Sequence, residues 1–296
     1  MQKYPSIVRP SHRKQQGATL VELLVGLTIG LMTIAVAVGA LVVSRGVSGT
    51  VSDASQIQQQ ASYAFRVIGQ QIRQAASMRL DLAANKGPGD PIDPADVVAF
   101  TPDDNLHTMS AASKPIIGKD SPSGSEYKLS IAYQNYAEPT FTSASSISFF
   151  RDCLANAPAL PVAPLEQNII ESQFALQSGQ LVCQGTGGGF QPIARNVANF
   201  QVRYLRQSDS STGIPKIQSV TAAGVGTAWN TVYGADVCLE LFGDEPISMP
   251  AGSTYIACDG NPVNMSSTGP LPANRVNRLH MTFRTTYQLR SQGLIG

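Results

Sequence analysis

Leu23 to Val43 is a run of 21 residues without an ionisable side chain, LLVGLTIGLMTIAVAVGALVV. At about 1.5 Å per residue, a helix of this length spans roughly 30 Å, the thickness of a bilayer's hydrocarbon core. A single carboxylate, Glu22, stands at its head. Before it lies a basic stretch with Lys3, Arg9, Arg13 and Lys14 and no acid. This placement explains the charge totals. The 296-residue chain has a formal net charge of +1 and only 14% charged residues, against about 25% in ordinary soluble domains. Residues 1–17 carry +4 and the remainder −3. These totals exclude a disordered acidic chain, a strongly basic nucleic-acid binder and a polytopic membrane protein.

Three readings of the N-terminus compete. A removable signal peptide has a basic region, an apolar region and a small-residue cleavage site, for which Ala35-Val36-Ala37 is a candidate. The apolar run is too long for that and continues past Ala37. A plain membrane anchor with its basic end in the cytoplasm explains the length but not Glu22. A carboxylate within an apolar helix costs about 2.5–3.5 kcal/mol on insertion scales, so it marks a functional residue by default.

The third reading uses every feature. Arg13-Lys14-Gln15-Gln16-Gly17-Ala18-Thr19-Leu20-Val21-Glu22 resembles the class III leader of type IV prepilins. The resemblance implies cleavage between Gly17 and Ala18 by a prepilin peptidase on the cytoplasmic side, and N-methylation of Ala18. Glu22 then becomes the fifth mature residue. The first mature residue is Ala18, where the family usually has Phe or another large apolar residue. The resemblance also implies that Glu22 pairs with the free amino group of a neighbouring subunit. A buried charge is tolerated only when paired, so Glu22 acts as a register signal in assembly. Gly26 and Gly30 form a GxxxG pattern that permits close helix approach; ordinary small residues in an apolar helix are the equal alternative.

From Val47 to about Leu80 a helical period persists with polar residues added. Ile57, Ala61, Phe65, Ile68 and Ile72 form one face, and Gln56, Gln58, Gln59, Gln60, Arg66, Gln70, Gln71, Arg73 and Gln74 lie between them. This suits a helix lying against a sheet. A membrane-surface helix fits less well, because the polar face is rich in Gln rather than Lys. Asn85 to Gly89 is expected to end the helix. The expected organisation is a leader (1–17), a transmembrane and filament-core half-helix (18–44), an amphipathic half-helix (45–82) and a β-rich domain (83–296).

Residues 81–140 are loop-rich. Asp90, Asp93, Asp96, Asp103 and Asp104 admit a calcium site or solvated turn residues. The spacing lacks the EF-hand pattern and its terminal Glu. Period-two alternation follows at Tyr127–Tyr133, Phe200–Tyr204, Val237–Leu241 and Leu279–Leu289, with a hairpin at Ser178-Gly179. The last strand alternates an apolar face with a basic one carrying Arg278, His280, Arg284 and Arg290. An antiparallel sheet with one face on the amphipathic helix accounts for this, giving an α+β fold.

Cys153, Cys183, Cys238 and Cys258 allow three disulfide pairings. Cys153–Cys183 and Cys238–Cys258 are favoured, each stapling a local strand–loop–strand unit at about 3–4 kcal/mol in the loop-entropy model. No CxxC or Cys/His cluster supports zinc. No GxSxG, HExxH or Walker motif is present. Gly185 to Gly189 lacks the Lys-Ser/Thr of a phosphate loop and reads as a turn. His107 and His280 are poor catalytic candidates; for His280 a solvated or sheet-paired role is expected. Arg278, Arg284 and Arg290 are the one nucleic-acid patch worth weighing, and a solvated edge explains them equally well.

The order LVCQ (181–184), QPIARNVANFQVRYL (191–205), WNTVYGADVCLELFG (229–243) and RVNRLHMTFRTTYQLRSQG (275–293) is similar to the PilW class of minor pilins, and more widely to J-type pseudopilins of type II secretion. The resemblance implies a type IV pilin-like fold and a non-enzymatic assembly protein that needs no cofactor or metal. It would be inserted in the inner membrane with its C-terminal domain periplasmic and then incorporated into the filament. The implied partners are major and minor pilins, the prepilin peptidase and a tip adhesin, with nucleic acid not among them. A membrane-anchored periplasmic enzyme or binding protein is the alternative of another class.

Overall fold

The computed structural model describes residues 17, 19–77, 80–87, 90–91, 93–100, 114–124, 126–136, 138–140, 143–148, 150–156, 169–208, 216–266 and 271–289. Ala18, Asp103, Asp104, His107 and Arg290 lie outside the described residues. The chain divides into two compact units, 1–49 and 50–296. Helix α1 (Leu20–Gln74) contributes residues to both.

In the first unit α1 is apolar all round. Leu20–Val42 has a mean hydropathy of 2.3 and no buried residue in its most apolar window. Its large side chains remain exposed, from Leu20 at 76% to Leu41 at 51%. A helix satisfies its own backbone polar groups, so this segment needs only apolar surroundings to be stable.

The second unit is α+β. Its strands begin with β1 (Leu80–Asp81), β2 (Ala99–Phe100), β3 (Ile116–Gly118), β4 (Leu129–Gln134), β5 (Glu138–Thr140) and β6 (Ser143–Ile147). Then come β7 (Ile169–Gln177), β8 (Gln180–Gln184), β9 (Gln191–Ala194), β10 (Val197–Ser208) and β11 (Lys216–Val220). A short helix α2 (Ala222–Val225) precedes β12 (Val232–Pro246), β13 (Thr254–Ile256), β14 (Pro262–Asn264) and β15 (Arg278–Gln288). The strands form a five-stranded sheet in the order β3-β4-β7-β8-β9 and a four-stranded sheet in the order β11-β10-β12-β15. Every ladder is antiparallel. The sequence pattern suggests one sheet; two main sheets form, beside the two-stranded pairs β1-β2, β5-β6 and β13-β14, because β10 pairs with β12 rather than with its chain neighbour β9.

Local chemistry explains the connections. Ser178 (φ 48°) and Gly179 (φ 73°) are both left-handed, the requirement of a two-residue type I′ hairpin between β7 and β8. In β10, Phe200, Val202 and Tyr204 are buried while Arg203 is exposed, the alternation of a strand with one face on the core. The central strand β12 is buried along most of its length on both faces.

The second half of α1 supplies the core's helical face. Ile57, Ala61, Ala64, Ile68 and Ile72 are essentially inaccessible. Each buried Ile contributes about 1.5–3 kcal/mol relative to exposure. The helix meets both sheets. Gln71 Oε1 lies 2.8 Å from the Tyr133 hydroxyl of β4 and 3.0 Å from Ser172 Oγ of β7. On the other side the Tyr287 hydroxyl of β15 donates to Phe65 O at 2.7 Å. Gly69 is required there: a Cβ at this position would lie 2.4 Å from Tyr287 Cε1.

The pattern places the helix end near residue 82; the structure ends it at Gln74. Tertiary capture is the cause. Ala76 turns left-handed (φ 61°) and donates to Ala132 O of β4, and Gln134 N donates to Ser77 O. β4 thus takes the backbone groups that further helix would have used. Two disulfides, Cys153–Cys183 and Cys238–Cys258, join the 151–156 loop to β8 and β12 to the turn after β13.

Candidate functional site

The head of α1 is the candidate site. Gly17 and Thr19 are exposed, and Thr19 immediately precedes the first helical residue. Glu22 N–H donates to Thr19 Oγ1 at 3.3 Å. In return, Glu22 Oε2 accepts from Thr19 N at 3.1 Å and from the Thr19 hydroxyl at 3.3 Å. This is a reciprocal capping box, Thr-x-x-Glu, which satisfies donors that a helix N-terminus leaves open. The carboxylate also sits in the first turn, where the helix dipole favours negative charge.

The leader motif by itself assigns no role to Thr19. Its signal was the three-residue spacing to Glu22 ahead of an apolar run. The box uses only one carboxylate oxygen. Among the described residues Oε1 has no donor, and Glu22 has no ion-pair partner. Within the described residues the head of the helix thus presents a carboxylate with one bonded oxygen, beside the exposed Gly17 and Thr19. Gly26 and Gly30 have nothing within 4 Å of where a Cβ would stand, so their side of the helix is open.

Other sequence candidates are engaged within the second unit. Asp96 pairs with Lys86 at 2.7 Å. Asp90 Oδ2 accepts from Gly87 N, and Asp93 Oδ1 accepts from Ala95 N. These are turn contacts, and the described residues contain no group of three His, Cys, Asp or Glu fit to hold a metal. Gly185 to Gly189 forms a turn closed by Gly188 N to Gly185 O and by Gln184 Nε2 to Gly188 O.

The basic face of β15 is not a free patch. Arg278 donates to Gly243 O and Asp244 O. Arg284 donates to Cys258 O and lies 3.7 Å from Asp236. Of the two roles expected for His280, solvated or sheet-paired, the structure shows the second: it is buried and lies opposite Phe242 in the β12–β15 ladder. Its ring stacks on Tyr255 at 4.8 Å and on Phe242 at 5.8 Å. The β13–β14 hairpin covers this face, and burial pulls the imidazole below its usual pKa. Glu240 belongs to the same cluster. It is buried and accepts from Asn199 Nδ2, the Tyr255 hydroxyl and Cys258 N, at 2.9, 3.0 and 2.7 Å. No motif signals it, since its role depends on the hairpin folding over β12.

No protein-family model matches the chain, and no curated protein matches it by sequence. Among solved structures it is similar to a type IV-like pilin from Thermus thermophilus, at 10% identity over 80% of this chain and 99% of that one, with a TM-score of 0.36. At that level the likeness decides nothing about function.

Proposed function

We propose that this chain is a prepilin-peptidase substrate that becomes a minor pilin of a type IV pilus. The observation that carries the reading is Glu22. It stands five residues into the chain that begins at Ala18, directly after Gly17 and a +4 leader, at the head of a 23-residue apolar helix. Cleavage between Gly17 and Ala18 removes residues 1–17, and methylation of Ala18 follows. Residues 18–44 then hold the subunit in the inner membrane, with residues 45–82 and the domain 83–296 on the periplasmic side.

The capping box describes the stored state of the site. Thr19 satisfies Glu22 Oε2, which lowers the cost of holding a carboxylate near lipid. The open Oε1 is where a neighbouring subunit's terminal ammonium adds its charge-assisted bond. The exposed apolar side chains then exchange lipid for the helices of other pilins. The protein acts by assembly rather than catalysis, with other pilins, the prepilin peptidase and a tip adhesin as partners.

Glu22→Gln tests this directly. It keeps shape and hydrogen bonding but removes the charge. Membrane insertion should be unchanged, while the amount recovered in sheared filaments should fall at least tenfold. Undiminished incorporation would overturn the register role. Recovery in a type II secretion pseudopilus instead of pili would assign the chain to the J-type pseudopilins.

A further inference from the structure

Between the polar face of α1 and the free edge of β15 lies an open groove of about 680 Å³, lined by Ser62, Arg66, Gln70, Arg73, Thr285 and Tyr287 among others. β15 ends the four-stranded sheet, so its outer edge has no strand partner among the described residues. Such an edge presents backbone donors and acceptors ready for another strand. The groove's charge has one sign. From residue 54 to 74 the helix carries Arg66 and Arg73 and no acid. Both guanidinium groups rest on aromatic rings, Arg66 5.4 Å from Tyr63 and Arg73 5.7 Å from Tyr287, and neither has a carboxylate partner among the described residues.

We infer that this groove binds an extended acidic segment of another polypeptide, added as a strand to the edge of β15 with its carboxylates on Arg66 and Arg73. Each feature has a use in that complex. The β15 edge supplies the backbone ladder, as in other strand-addition sites. Arg66 and Arg73 are seven residues apart, about 10 Å along the axis. Same-face residues on a strand recur every 6.6 Å or so, and flexible arginine side chains cover the difference. Their stacking on Tyr63 and Tyr287 restricts them before binding, so less freedom is lost in the complex. The inference concerns residues 62–74 and 285–287 alone and does not depend on the processing of the N-terminus.

The test uses the full chain in detergent micelles and fluorescein-labelled eight-residue peptides. One alternates glutamate with valine, one lysine with valine and one glutamate with proline. The first should bind, more weakly as salt rises, and should slow amide exchange at Thr285 to Gln288. The lysine peptide should not bind, and the proline peptide, which keeps only its glutamate N–H donors and is held by its prolines in a polyproline-like backbone rather than a pleated strand, should bind at least about tenfold more weakly. Arg66→Glu with Arg73→Glu should weaken the glutamate–valine peptide at least about tenfold at an unchanged melting temperature. If that variant unfolds, Arg66→Gln with Arg73→Gln serves in its place. Equal binding by the lysine peptide, insensitivity to the arginine changes, or no protection of β15 would overturn the inference. Self-association of the chain that the same changes abolish would also overturn it, by giving the groove to a second copy.

Discussion

Thr19 and Glu22 hold one another at the start of α1: each backbone N–H is bound by the other's side chain, at 3.1 and 3.3 Å. The pair sits at the head of a 23-residue apolar segment, in the first turn of the helix, so its two jobs are inseparable. It closes the helix end and it keeps the carboxylate partly satisfied. Thr19→Val keeps the side chain's shape and removes the hydroxyl. Loss of an N-cap costs about 1 kcal/mol. Amide exchange at Glu22 in micelles should therefore speed up about fivefold, since 1.4 kcal/mol is tenfold. Thr19→Ser should restore it. Unchanged exchange in the Val variant would show that the box contributes nothing.

Gly69→Ala should destabilise the second unit by about 1–3 kcal/mol, the usual cost of forcing atoms into a packed core. The added methyl would meet the Tyr287 ring. Thermal unfolding measures the loss. Tyr287→Leu alone should also destabilise, through the lost bond to Phe65 O. The double variant should be more stable than the sum of the two predicts, because the second change removes the clash. Additivity would mean that the helix and β15 do not meet at this point.

Several of these relationships were readable in the sequence and others were not. The period-two pattern of 278–288 and the Ser178-Gly179 turn are local, so they survive in the fold. Glu22 was visible because a lone carboxylate beside 21 uncharged residues has few explanations. Gln71 was misplaced among the exposed glutamines. It is 2% exposed and bonds to Arg151 O, with Tyr133 and Ser172 on its carbonyl. Helical phase alone does not say that polar partners 62 and 101 residues away will meet it. The helix end at Gln74 was hidden for the same reason, since β4 captures Ala76 and no Gly or Pro marks the place. His280 looked surface-bound because the β13–β14 hairpin that covers it is distant in sequence.

Acid should weaken the second unit through His280. Burial is the main cause of its lowered pKa, opposed by the bond to Arg278 O and by Glu240, with Arg275 and Arg278 adding to the lowering. Its Nε2 is buried without a partner. Since the folded state holds the neutral ring, the contribution is present above the unfolded value of about 6.5 and is lost as pH falls through the lower folded value. The melting temperature should decline from about pH 6.5 downward. His280→Phe, which keeps an aromatic ring between Tyr255 and Phe242, should flatten that decline below about pH 6.5. An identical slope in both proteins would remove His280 from the account.

The most direct measurement is the intact mass of the membrane-extracted protein from cells with an active prepilin peptidase. The account predicts a chain that begins at Ala18, lacks residues 1–17 and carries one added methyl group on its terminal nitrogen. A chain that still begins at Met1, in cells where other prepilins are fully processed, would contradict it.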